Sequence, residues 1–136
     1  MEAGDPRHLL LEIARILERL RIPYMVTGGM AVFVWGHPRF TADIDIVVEL
    51  TEKNIEGLAN ELRGIDDKGY LDKDAIYEAL KNRGEFNYLH GETGIKVDFW
   101  ILKEGIFEKQ RLARRIAKKI LGRSVYREVV KINGVN

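Results

Sequence analysis

Apolar positions recur along this chain with two periods, and the period changes mark the elements. Leu9, Leu10, Ile13, Ile16, Leu17 and Leu20 fall on one stripe, which predicts a first helix from Asp5-Pro6 to about Arg21. Asp5 suits the cap, Pro6 the first helical position, and Ile22-Pro23 the end. Tyr24 to Val26 reads as a short strand, broken by Gly28-Gly29. Met30 to Trp35 is apolar and closed by Gly36, which predicts a short helix starting at the glycine pair. Asp43 to Val48 alternates, with Asp43 and Asp45 on one face and Ile44 and Ile46 on the other. Thr51 caps a helix to about Arg63, with Ile55, Leu58, Ala59 and Leu62 inward. After a loop from Gly64 to Gly69, Asp72 caps a helix from Lys73 to Asn82, and Gly84 lies just past its end. Phe86 to His90 and Gly94 to Leu102 are strands joined by the turn Gly91 to Gly94, so they should pair antiparallel. In the second of these, Ile95, Val97, Phe99 and Ile101 share one face, and Lys96, Asp98 and Trp100 the other.

The last quarter of the chain reads as a helix from Phe107 to Leu121. Leu112, Ala113, Ile116, Ala117 and Ile120 lie to one side, and Arg111, Arg114, Arg115, Lys118 and Lys119 around the rest. Gly122 ends it, and Ser124 to Ile132 follows as a strand. Asn133-Gly134 is a hairpin-turn signal with two residues after it and no returning strand, which fits either a truncated sequence or a naturally shortened end.

Composition narrows the class. The 136 residues fit one domain, with a core about 22–102 and a basic helix plus strand over 103–136. Apolar runs are too short to span a bilayer, and no signal-peptide pattern opens the chain, so the expected compartment is cytoplasmic, with no membrane partner. The absence of cysteine excludes disulfides, thiolate metal sites and cysteine nucleophiles. Residues 1–102 hold 12 Lys and Arg against 18 Asp and Glu, whereas residues 103–136 hold 10 against 3. A basic C-terminal surface follows, suited to nucleic acid or an acidic partner.

The candidate chemistry lies in the middle. Adjacent glycines let a backbone turn sharply and let a ligand approach, and a helix start suits phosphate. Aspartate is a poor strand former, and two carboxylates on one face repel, so a divalent cation is the natural compensation. Mg²⁺ is typically held by one or two carboxylates together with substrate phosphates. Asp98, the only acid of its strand, is the candidate third carboxylate. Arg39 and Thr41 share the parity of Asp43 and Asp45 and could hold phosphate oxygens, as could Lys96. Their bland readings are loop solvation and ion pairing. Trp100 reads more simply as packing than as base stacking. His8, His37 and His90 lack metal-ligand spacing.

Gly28-Gly29, thirteen residues, Asp43-x-Asp45 and then a lone strand Asp98 resemble the DNA polymerase beta-like nucleotidyltransferase superfamily. Gly36-x-Pro38-Arg39-x-Thr41-x-Asp43-Ile44-Asp45 resembles its small prokaryotic members, many from toxin–antitoxin systems. The resemblance covers roughly Ile22 to Leu102. It implies an α/β (α+β) fold, with a small, mixed, largely antiparallel sheet and helices packed on it. It implies that Asp43, Asp45 and Asp98 hold two Mg²⁺ ions, with Mn²⁺ as the alternative, while Gly28, Gly29, Arg39, Thr41 and Lys96 bind a nucleoside triphosphate. It implies transfer of a nucleoside monophosphate to a hydroxyl with release of pyrophosphate. The acceptor would be a tRNA end or a partner protein, met by the basic segment of Arg111, Arg114, Arg115, Lys118 and Lys119. A small-molecule acceptor is a third option. The competing class is a non-catalytic nucleotide- or nucleic-acid-binding antitoxin module of the same fold. Asp-x-Asp-x-Val at Asp43 to Val47 also fits the haloacid dehalogenase-type phosphatase signature. That signature needs its hydrophobic strand before the first Asp, whereas here the apolar run comes after.

Overall fold

A computed structural model describes residues 5–28 and 43–129. The expected helix from Met30 to Trp35, the candidate residues Gly29, Arg39 and Thr41, His37, the far end of the last strand to Ile132 and the Asn133-Gly134 turn lie outside them.

Among the described residues the chain forms four helices and six strands. They are α1 (Pro6–Arg19), β1 (Tyr24–Thr27), β2 (Asp43–Val48), α2 (Glu52–Arg63), α3 (Lys73–Asn82), β3 (Glu85–Leu89), β4 (Lys96–Ile101), α4 (Ile106–Ala113), β5 (Ile116–Ile120) and β6 (Arg123–Arg127). The strands make one mixed sheet in the order β3-β4-β2-β1-β6-β5. β2 and β4 run parallel, as do β1 and β6, and the other neighbours are antiparallel. The fold is therefore of the expected mixed α/β class. No described helix is long and apolar enough to cross a membrane.

The alternation in the strands sends the two faces to different fates. Ile44, Ile46, Val97, Phe99, Phe86, Tyr88, Tyr24 and Val26 join the buried stripes of α1, α2 and α3 in one continuous core. Phe86 and Phe99 stack at 4.8 Å between ring centroids. The opposite face carries a small cluster of Met25, Val47 and Leu102 under Leu112 of α4. The rest of that face carries polar residues and is the one that matters for chemistry. The caps also follow the sequence: Asp5 accepts from the Arg7 N–H at 3.0 Å and Asp72 from the Asp74 N–H at 2.9 Å. At the end of α3, however, it is Arg83, not the glycine after it, that takes the left-handed conformation (φ 54°).

The expected helix from Phe107 to Leu121 is corrected. α4 stops at Ala113, and Ile116 to Ile120 is instead a strand that turns back into β6. Leu112, Ile116 and Ile120 are four residues apart, and that spacing fits a helical stripe and one face of a strand equally well. Tertiary pairing decides between them: β6 docks parallel to β1 through Val26 and Arg127, and Val125 and Ile120 are buried in the main core. Ile116–Ile120 and Arg123–Arg127 are thus part of the sheet. The basic helix surface is corrected with it. Arg111 lies on α4, Arg114 caps it, Arg115 lies in the connection, and Lys118 and Lys119 sit on opposite faces of β5.

The β5–β6 turn is a two-residue loop with positive φ at both positions, Leu121 at 50° and Gly122 at 85°. That is the hairpin turn whose twist matches the strands, and it favours Asn-Gly. Leucine is strained there and is 48% exposed, so little burial is at stake. Leu121→Asn is therefore expected to stabilise the protein by about 1 kcal/mol, read as a rise in thermal midpoint of about 4 °C.

Candidate active site

Three cross-strand rows form on the open face. The central row runs Thr27 on β1, Asp45 on β2, Asp98 on β4 and Asn87 on β3, each directly beside the next. Val47, Trp100 and Glu85 flank it on one side, and Asp43, Lys96 and Leu89 on the other. Two acids 53 positions apart in sequence, Asp45 and Asp98, thus become neighbours through the parallel register of β2 and β4. Asp43 is exposed and lies two residues along the same face, beside Lys96. Gly28 closes in from the end of β1. Its φ is +69°, and a Cβ built there would stand 2.9 Å from Asp45 Oδ2. Only glycine leaves that approach to the carboxylate open.

Each central acid has a donor on one oxygen. The Trp100 indole Nε1–H donates to Asp45 Oδ1 at 3.2 Å. The Asn87 amide donates to Asp98 Oδ1, and Lys96 Nζ lies 3.6 Å from the same oxygen. Asp98 is only 7% exposed, the one buried charged side chain among the described residues. Burial pushes the Asp45 carboxyl upward, the Trp100 hydrogen bond opposes this, and the charges of Asp98 and Asp43 push it up further. Glu85, one row away, is also raised, by burial and then by Asp98. Charge has therefore been concentrated here against its own repulsion, as happens at functional sites.

Among the described residues, no group of three or more His, Cys, Asp or Glu side chains is arranged to hold a metal ion. The donor set of Asp45 and Asp98 nonetheless has the chemistry Mg²⁺ prefers: hard oxygens, side by side, under a backbone without a side chain. An open groove of about 360 Å³ starts at Asp45. Thr27, Asp45 and Trp100 line its near end, and Arg83, Lys103, Glu108 and Arg111 its far end.

Several of these residues are not singled out by sequence reasoning. Asn87 is one; its signal is an amide in mid-strand, a poor strand former whose parity matches Asp98 once the hairpin register is known. Trp100, expected to pack, is instead 43% exposed and bonds Asp45. Lys96 lies within ion-pair reach of Asp98 while its side chain stays partly exposed on the open face. His90 is structural, with Nδ1 2.8 Å from the Thr93 hydroxyl in the β3–β4 turn. Arg111 and Arg115 are committed inside the fold, Arg111 to Glu108 and Glu128 and Arg115 over the Tyr126 ring at 4.6 Å. No family model matches this chain, and no curated protein matches it.

Proposed function

We propose that this protein is a Mg²⁺-dependent nucleotidyltransferase that moves a nucleoside monophosphate from a triphosphate to a hydroxyl acceptor. The observation that carries this reading is the register of β2 and β4, which sets Asp45 against Asp98 beneath Gly28 on the open sheet face. Asp43, Asp45 and Asp98 would hold the cation, which supplies charge stabilisation at the attacking and leaving oxygens. The outer phosphates would meet backbone N–H groups at Gly28 and Gly29, with Arg39, Thr41 and Lys96 as the side chains assigned to them by the sequence resemblance. The acceptor oxygen attacks the α-phosphorus and its proton passes to the Asp98 carboxylate. The bond to the bridging oxygen breaks, and pyrophosphate leaves with the electron pair. Asn87 and Trp100 hold the two carboxylates in place, and positioning of this kind accounts for much of phosphoryl-transfer catalysis. The acceptor class proposed is a tRNA end or a partner-protein hydroxyl, in the cytoplasm.

A second reading has its own support. Asp98 Oδ1 already meets Asn87 and Lys96, and Asp45 Oδ1 already meets Trp100, so the row could serve a non-catalytic nucleotide-binding antitoxin module. One experiment separates the two. The protein is incubated with each α-labelled triphosphate, Mg²⁺, total tRNA and cell lysate. Transfer of label that requires Mg²⁺ supports the enzyme. Triphosphate binding without transfer supports the module, and no triphosphate binding removes both.

A further inference from the structure

We propose that the outer edge of β5 is a docking site for an acidic, extended polypeptide segment, which joins the sheet as a further strand. Among the described residues the sheet ends at β5, whose inner edge is taken by β6. Ile116 to Lys119 are exposed, and only Ile120 is buried. The two-residue turn fixes which backbone groups face outward. Its closing pair, Ile120 and Arg123, exchanges ladder bonds, and by alternation so do Lys118 with Val125 and Ile116 with Arg127. Ala117 and Lys119 therefore turn their N–H and C=O groups to the free edge. The sheet's other end is partly covered, because Tyr70 bridges to Leu89 with bonds of 2.9 and 3.0 Å. Among the described residues β5 has no such cover.

Charge selects the partner. From Ile116 to Arg127 the chain carries Lys118, Lys119, Arg123 and Arg127 and no Asp or Glu, whereas Arg111 is already paired with Glu108 and Glu128. Lys118 and Lys119 alternate between the faces of β5, so an added strand meets a cation on either side. A second β5 would set lysine against lysine, which disfavours self-pairing. A nucleic-acid backbone would meet only the cations of one face, whereas an acidic strand can use both together with the open ladder. The site is remote in sequence from the acid row and does not depend on the nucleotidyl-transfer reading.

The test uses the full chain and a fluorescent peptide of alternating Glu and Val, with binding read by anisotropy. Ala117→Pro removes one outward N–H while keeping every charge and every bond to β6. It is expected to weaken peptide binding about tenfold, the effect of one lost main-chain bond. The double variant Lys118→Gln, Lys119→Gln should also weaken it. Amide exchange at Ala117 and Lys119 should slow when peptide is bound. If Ala117→Pro melts early, the native protein decides: a peptide N-methylated at alternate residues should fail to bind. The proposal is overturned if that peptide binds as well as its parent. It is also overturned if the peptide does not bind, or if single-stranded RNA of equal charge displaces it and binds more tightly.

Discussion

Asp45→Asn is expected to abolish nucleotidyl transfer while making the fold more stable. The activity loss should reach at least about a hundredfold, because even the residues that merely support metal ligands are worth that much. The stability gain follows from linkage. Burial, with Asp98 and Asp43, holds the folded-state value of the Asp45 carboxyl above that of the unfolded chain. The folded state therefore binds the proton more tightly. The stability this contributes is full below the unfolded value of about 3.9 and is lost as pH rises through the folded one. At neutral pH the carboxylate is a burden on folding. Asparagine removes the charge and can still accept the Trp100 N–H. Thermal melts at pH 7 should thus place the variant above the parent, with the difference shrinking as pH falls toward that of the free carboxyl. A variant less stable than the parent at neutral pH would mean that Asp45 is held by structural bonds rather than kept in tension for a ligand. Unchanged transfer would remove Asp45 from the chemistry.

Gly28→Ala should damage both stability and activity. A side chain at φ +69° costs about 1–2 kcal/mol in the left-handed region. The new methyl would also lie 2.9 Å from Asp45 Oδ2, closer than real contacts allow, so the carboxylate must rotate away from its Trp100 donor. A displacement of this size should lower transfer about tenfold or more, since reacting groups tolerate little misplacement. The diagnostic is a double-mutant comparison. If Gly28 acts through Asp45, then in an Asp45→Ala background, where no carboxylate meets the new methyl, Gly28→Ala should lower thermal stability only by the left-handed strain. Additive losses would show that the glycine serves the phosphates or the backbone alone.

Much of this architecture was legible in the chain. The stripe of α1, its Asp5-Pro6 start, the capped α2 and α3, and the alternation of β2 and β4 are local properties, set by side-chain spacing and turn chemistry over a few residues. The same alternation placed Asp43 and Asp45 on one face and Asp98 on the polar face of its strand. The partners of those acids were not legible. Asn87 and Trp100 become donors only when β3, β4 and β2 settle into one register, which is set by many non-local pairings at once. The helix expected from Phe107 to Leu121 differed for a related reason. Apolar residues four apart carry no preference between helix and strand, so the vacant side of β1 decided it by taking β6 as a parallel neighbour. The resulting hairpin tolerates a left-handed leucine that local propensity would refuse.

By itself, then, the amino-acid order determined where helices start, which strand residues face together, and that two acids sit where strands dislike them. Tertiary structure alone decided that Asp45 lies against Asp98 rather than some other neighbour, and that the basic tail is an edge strand rather than a helix. The division has one physical cause. Periodicity and capping act within a turn or two of backbone, whereas register and edge pairing are fixed by burial summed across strands distant in sequence.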